Sequence, residues 1–64
     1  MEDNFIYLTD SKGRLTINMA NIIMYRDSDH TNMQAGYPTK VLTDSQVLFV
    51  KETEREITNI IRTR

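Results

Sequence analysis

A chain of 64 residues and 7.5 kDa is one domain at the lower edge of independent folding. Its formal net charge of −1 gives no general electrostatic pull toward nucleic acid or anionic lipid. With no cysteine and one histidine, it can build neither a disulfide nor a thiolate or histidine-rich metal site.

In chain order, Phe5-Ile6-Tyr7-Leu8-Thr9 is a run of β-formers and predicts a first strand. Asp10-Ser11-Lys12-Gly13 has turn chemistry, with Gly13 able to take a positive φ. Arg14-Leu15-Thr16-Ile17-Asn18 alternates polar and apolar, the period of a second strand. Asn18-Met19-Ala20-Asn21 predicts a corner of about one 3₁₀ turn. Ile22-Ile23-Met24-Tyr25-Arg26 predicts a third strand, apolar on both faces at its start, which places it in the centre of the sheet or at a subunit contact. Residues 27–38 are polar and read as a loop, long for so small a domain. Thr39-Lys40-Val41-Leu42-Thr43 and Val47-Leu48-Phe49-Val50 predict strands four and five around a turn at Asp44-Ser45-Gln46.

The last element carries the strongest local signal. Thr53-Glu54-Arg55-Glu56 fits a capping box in which the Thr53 hydroxyl accepts the Glu56 N–H and the Glu56 carboxylate accepts the Thr53 N–H. Ile57, Ile60 and Ile61 then form one apolar stripe at i, i+3 and i+4. Glu54 and Glu56 lie at the positive end of the helix dipole, Arg62 and Arg64 at the negative end. The expected fold is α+β: a small antiparallel β-meander of about five short strands with one C-terminal α-helix, with SH3-like or barrel-like closure left open.

Such a chain buries about 60% of its unfolded surface, which at about 25 cal/mol/Å² contributes on the order of 100 kcal/mol. Ordering the backbone and side chains costs roughly 96 kcal/mol, so the two nearly cancel. Without a disulfide or metal, self-association is the remaining way to gain stability, and a homo-oligomer is expected. No apolar run approaches the roughly 20 residues that span a bilayer, so membrane insertion is not expected. The opening Met1-Glu2-Asp3-Asn4 is acidic, unlike the basic start of a signal peptide, and the expected location is cytoplasmic.

Ile6-Tyr7-Leu8-Thr9 with Gly13, Ile17-Asn18 and Ile22 after a short corner, and Phe49-Val50-Lys51-Glu52-Thr53 leading into Glu56-Ile57 and Ile60-Ile61 make up a familiar pattern. In these residues the chain resembles the small flagellar and swarming-motility proteins of the FlbD type, over most of its length outside residues 27–38. The resemblance implies a small cytoplasmic accessory protein with no catalytic residues to carry over. The chain departs from the pattern in two places. Residues 27–38 stand where a tight hairpin is expected, and the turn at 44–46 has no glycine.

No constellation in the sequence supports catalysis, a metal or a cofactor. His30 beside Asp27, Ser28 and Asp29 has the residue types of a triad, but a loop does not hold them on separate rigid elements. As a calcium loop, the same segment would need glycine at its sixth position and glutamate at its twelfth, where Asn32 and Pro38 stand. The two glycines are too far apart for a phosphate-binding loop. Glu52, Glu54 and Glu56 belong to the helix start, and capping explains them. Lys51, Arg55, Arg62 and Arg64 are too sparse, and lack the stacking aromatics, for a nucleic-acid surface.

Candidate contacts are Tyr25, Arg26, His30, Met33 and Tyr37, amphipathic or adaptable groups in or beside the middle segment. The leading expectation is a non-catalytic interaction protein that self-associates and binds a partner protein. The first alternative is a phage- or mobile-element-encoded binder of a small nucleotide, with Tyr25, Arg26, His30 and Tyr37 around a pocket between subunits. The second is a nucleic-acid-binding regulator using the C-terminal helix.

Overall fold

The computed structural model describes residues 4–63. Five antiparallel strands and a C-terminal helix form a small α+β fold. In order these are β1 (Phe5–Asp10), β2 (Gly13–Asn18), a 3₁₀ turn (Met19–Asn21), β3 (Ile22–Asp27), α1 (His30–Gln34), β4 (Thr39–Thr43), β5 (Val47–Val50) and α2 (Glu54–Arg62). The acidic opening at residues 1–3 and the helix-end charge of Arg64 lie outside the described residues. No described helix is long and apolar enough to cross a membrane.

The strands divide into a hairpin, β1–β2, and a three-stranded sheet in the order β3-β4-β5. The hairpin turn uses the chemistry read from the sequence: the Asp10 carboxylate accepts the Lys12 N–H at 2.9 Å, and Gly13 takes φ +115°. Ile6 stands opposite Ile17 and Leu8 opposite Leu15, so one face of the hairpin is aliphatic. In the three-stranded sheet, Tyr25, Val41 and Leu48 align across the strands, with Val50 opposite Thr39. These two inner faces meet in a core of Ile6, Leu8, Ile17, Val41, Val50 and Ile57. Ile57 is fully buried, while Ile60 and Ile61 are half-buried against the same cluster, so the helix stripe does cover the sheet. The capping box is complete: the Glu56 N–H donates to Thr53 Oγ1 at 3.1 Å, and the Thr53 N–H donates to Glu56 Oε1 at 2.8 Å.

Two sequence expectations are corrected. First, of the two placements read for β3 the central one is excluded, since β3 is an edge strand of its sheet and β4 is the central one. The double-sided apolar start of β3 reflects a β-bulge between Ile22 and Met24, which leaves Ile23 64% exposed. Second, residues 27–38 are not a plain loop. They contain α1, with standard caps at both ends. Asp29 accepts the Asn32 N–H at 2.8 Å, and Gly36, at φ +100°, sends its N–H to the Met33 carbonyl while the Tyr37 N–H reaches the Asn32 carbonyl. That pair of bonds is a Schellman motif. The base of the excursion is closed by the Ser28 N–H on the Pro38 carbonyl at 2.8 Å, and the buried Ser28 hydroxyl donates to the Tyr37 carbonyl at 2.7 Å.

The α1 cap carries a pH dependence. Hydrogen bonds from the Asn32 backbone, and then from its side-chain amide, hold the Asp29 carboxyl below its ordinary value of 3.8. A lowered folded-state pKa means that the cap contributes fully above the unfolded value and is lost as pH falls through the folded one. Amide signals of Asn32 and Met33, followed by NMR from neutral pH into acid, should therefore report a transition centred below 3.8. In Asp29→Ala these amides should exchange faster than in the native chain at neutral pH, with the difference vanishing once acid has removed the native cap, and unchanged exchange at neutral pH would show that Asp29 does not hold α1.

Candidate functional site

The expected contact residues occupy different sides of the fold. Tyr25 lies on the inner face of the sheet, half-buried against the core, with its hydroxyl hydrogen-bonded to Thr58 Oγ1 of α2 at 2.8 Å. Arg26, the next residue along β3, is paired with Lys40 on the opposite face. His30 and Met33 are exposed on α1, and Tyr37 is half-buried just after it. Strand alternation thus separates Tyr25 from Arg26, and the two cannot meet one ligand within a subunit. His30 makes no side-chain hydrogen bond among the described residues, and Ser28 gives its proton to a main-chain carbonyl.

The helix cations are likewise interleaved with other groups. Arg55 and Arg62 share a shallow groove along α2 with Glu54, Thr58 and Asn59. Among the described residues, no group of three His, Asp or Glu side chains is placed to hold a metal ion.

The sheet face turned away from the core brings together residues that the sequence reading did not connect. Cross-strand register places Met24, Leu42 and Val47 in one row and Arg26, Lys40 and Phe49 in the next. None of these packs against the core cluster. Met24 is 38% exposed and Val47 46% exposed, with Leu42 and Phe49 half-buried between them. The bulged Ile23 extends the apolar row at the sheet edge. A sequence signal for this face was present: Val47-Leu48-Phe49-Val50 is apolar without alternation, the pattern of a strand apolar on both sides.

Comparison with known proteins adds nothing to this picture. No family model, no curated protein and no solved structure matches the chain.

Two further groups set the shape of the surface. Glu52, between β5 and α2, accepts the Thr9 N–H at 2.8 Å and the Thr9 hydroxyl at 3.0 Å, tying the hairpin to the sheet. Thr43, at the end of β4, organises the turn that lacks glycine. Its hydroxyl donates to the Gln46 carbonyl at 2.8 Å and accepts the N–H groups of Gln46 and Ser45 at 3.0 and 3.3 Å. A side-chain hydroxyl here does what a positive-φ residue does in other turns. No buried side-chain nitrogen or oxygen among the described residues lacks a partner. The unused apolar capacity therefore lies on the outside.

Proposed function

We propose that this chain is a non-catalytic interaction module that associates with a second copy of itself through the outer face of the β3-β4-β5 sheet. In such an assembly it would act as an accessory protein by occupying a partner's surface. The observation that carries the reading is the row Met24–Leu42–Val47, apolar, partly exposed and outside the core. The near-zero folding balance of so short a chain supports it, because covering this row is the stabilisation still open to the molecule. The likeness to the FlbD type supports an accessory rather than a catalytic role.

Charge selects the geometry. Arg26 and Lys40 lie together at one end of the face. A two-fold axis along the strands would stack the four cations of two copies, whereas one across the strands sends the two pairs to opposite ends. The second arrangement is the one proposed. The face measures roughly 250 Å² in projection, from three strands at about 4.8 Å and five residues at about 3.3 Å. That is well below the roughly 800 Å² per partner of a standard stable interface, so the expected dissociation constant is micromolar or weaker.

Sedimentation velocity between about 10 μM and about 1 mM tests the proposal. The mean mass should rise with concentration for the native chain. Val47→Lys and Met24→Lys should each keep it monomeric and, since neither residue is in the core, match the melting temperature of the native chain at concentrations where that too is monomeric. A native chain that stays monomeric across the range would refute the proposal.

A further inference from the structure

β2 is paired on one side only, with β1. One step beyond the Phe5–Asn18 pair, the Met19 N–H donates to the Asn4 carbonyl at 2.8 Å, which fixes the alternation of hydrogen bonds along the hairpin. Gly13, Leu15 and Ile17 therefore bond β1. Arg14, Thr16 and Asn18 turn their N–H groups away from it, and Arg14 and Thr16 their carbonyls. The same alternation turns Thr9 outward on β1, and its N–H and carbonyl are the ones that reach Glu52 and Lys51. On β2 the corresponding groups of Arg14 and Thr16 have no partner among the described residues. The strand also lacks the usual guards of an edge, since it has no bulge, no proline and no lysine.

A cleft of about 260 Å³ runs beside this edge. Thr16, Ile17 and Asn18 line one side, Asn21 the corner, and Asp44 and Gln46 the other. The Asp44 N–H closes the corner on the Asn21 carbonyl at 3.1 Å. A second copy would bring its β2 with β1 attached, a hairpin two strands wide, whereas the β4–β5 turn walls the far side of the cleft. A single extended segment suits the space better. Charge and pattern define that segment. Arg14, placed over the Tyr7 ring at 5.8 Å, stands at one end of the edge, and Asp44 at the other. Leu15 and Ile17 lie on the inner face, packed with the core, and Arg14, Thr16 and Asn18 on the outer. An antiparallel segment then wants a basic residue opposite Asn18, beside Asp44. It wants β-branched apolar residues opposite Ile17 and Leu15, and an acid opposite Arg14.

We infer that β2 takes up an extended segment of a partner protein as an added antiparallel strand, basic at its N-terminal end and acidic at its C-terminal end. The inference rests on the accessory role proposed above and is independent of contact between outer sheet faces. The backbone groups of β2, held in place by the hairpin, supply the binding, and the alternate side chains the selectivity. For a short peptide the dissociation constant is on the order of millimolar.

The probe is the N-acetylated, C-amidated pentapeptide Lys-Val-Thr-Val-Glu, titrated into the full chain and followed by ¹H–¹⁵N NMR. Saturable shifts are expected at the Arg14, Thr16 and Asn18 amides, with their hydrogen exchange slowed at least about fivefold at saturation. Lys-Val-Pro-Val-Glu lacks the donor that faces the Thr16 carbonyl and should bind at least about tenfold more weakly. Glu-Val-Thr-Val-Lys, with its charges reversed, should bind about fivefold more weakly. No saturable shift, shifts centred away from β2, or equal binding of the proline peptide would overturn the inference. So would shifts of these amides on raising the protein concentration alone, which would assign the edge to a second copy. Val47→Lys should bind the first peptide as the native chain does. Failure of the outer-face contact therefore leaves peptide binding in place, and failure of strand addition leaves the sedimentation result in place.

Discussion

Ile57→Ala is expected to cost about 3 kcal/mol of stability, the largest effect of any single truncation on α2. Ile57 is the fully buried member of the helix stripe and belongs to the same cluster as Ile6, Leu8, Val41 and Val50. Removing its three outer carbons leaves a cavity at the junction of hairpin, sheet and helix. A domain of this length has a total stability of roughly 3–10 kcal/mol, so the loss is a large share of the whole. Thermal unfolding followed by circular dichroism should show a midpoint lowered by about 15 °C. Ile57→Val should lose only about 1 kcal/mol, and Ile60→Ala and Ile61→Ala less than Ile57→Ala, because both are half-buried. If Ile57→Ala melts within about 2 °C of the native chain, the helix is not anchored through this residue.

Glu52→Ala is expected to cost about 2 kcal/mol, although Glu52 is a part-exposed carboxylate in a connecting segment. Its two oxygens take both polar hydrogens of Thr9, on the backbone and on the hydroxyl. Its own carbonyl accepts the Thr39 hydroxyl at 2.6 Å, and the preceding Lys51 N–H bonds the Thr9 carbonyl at 2.8 Å. Hairpin and sheet are thus joined by three hydrogen bonds around Thr9, two of them charge-assisted and therefore the stronger kind, while the Thr39 hydroxyl holds Glu52 to β4. Without the carboxylate, a part-buried Thr9 N–H loses its acceptor. Glu52→Gln should cost less than Glu52→Ala, because its amide oxygen can still accept the Thr9 N–H and its NH₂ can donate to the Thr9 hydroxyl oxygen, so that only the charge assistance is lost. Thr9→Val should cost about 1 kcal/mol, since it removes only the hydroxyl bond. Chemical denaturation of the three variants, with exchange of the Thr9 amide, checks the order. Equal stability of Glu52→Ala and the native chain would show that this side chain does not join hairpin and sheet.

The parts of the fold legible in the sequence are those whose causes lie within a few residues. Thr53 and Glu56 specify the start of α2 by bonding each other's backbone, and the Ile57–Ile60–Ile61 spacing fixes which side of the helix faces in. Asp10 and Gly13 likewise specify the hairpin turn. The helix α1 was legible too. Asp29 three residues before Asn32, and Gly36 just past the last turn, are cap signals, but five residues without an apolar stripe give no periodicity to attract notice. The polar character of residues 27–38 therefore suggested an open loop where the caps enforce a closed one.

The candidate surfaces needed more than local pattern. That Met24 shares a row with Leu42 and Val47 depends on two cross-strand registers, one of them shifted by a bulge, and a shift of one residue would have sent those side chains to the core. Residues 5, 17, 21 and 45, far apart along the chain, line one surface cleft that only the docking of hairpin onto sheet creates.

By itself, then, the sequence determined the element types, most of their boundaries, the turn chemistry and the inward face of the last helix, because propensity, capping and periodicity act over one or two turns of chain. Tertiary structure alone decided that β3 lies at an edge, that Tyr25 turns inward while Arg26 turns outward, and that Glu52 reaches a threonine 43 positions away. Strand order and long-range hydrogen bonds are chosen by the energy of the whole packed chain, and no short stretch of residues contains that sum.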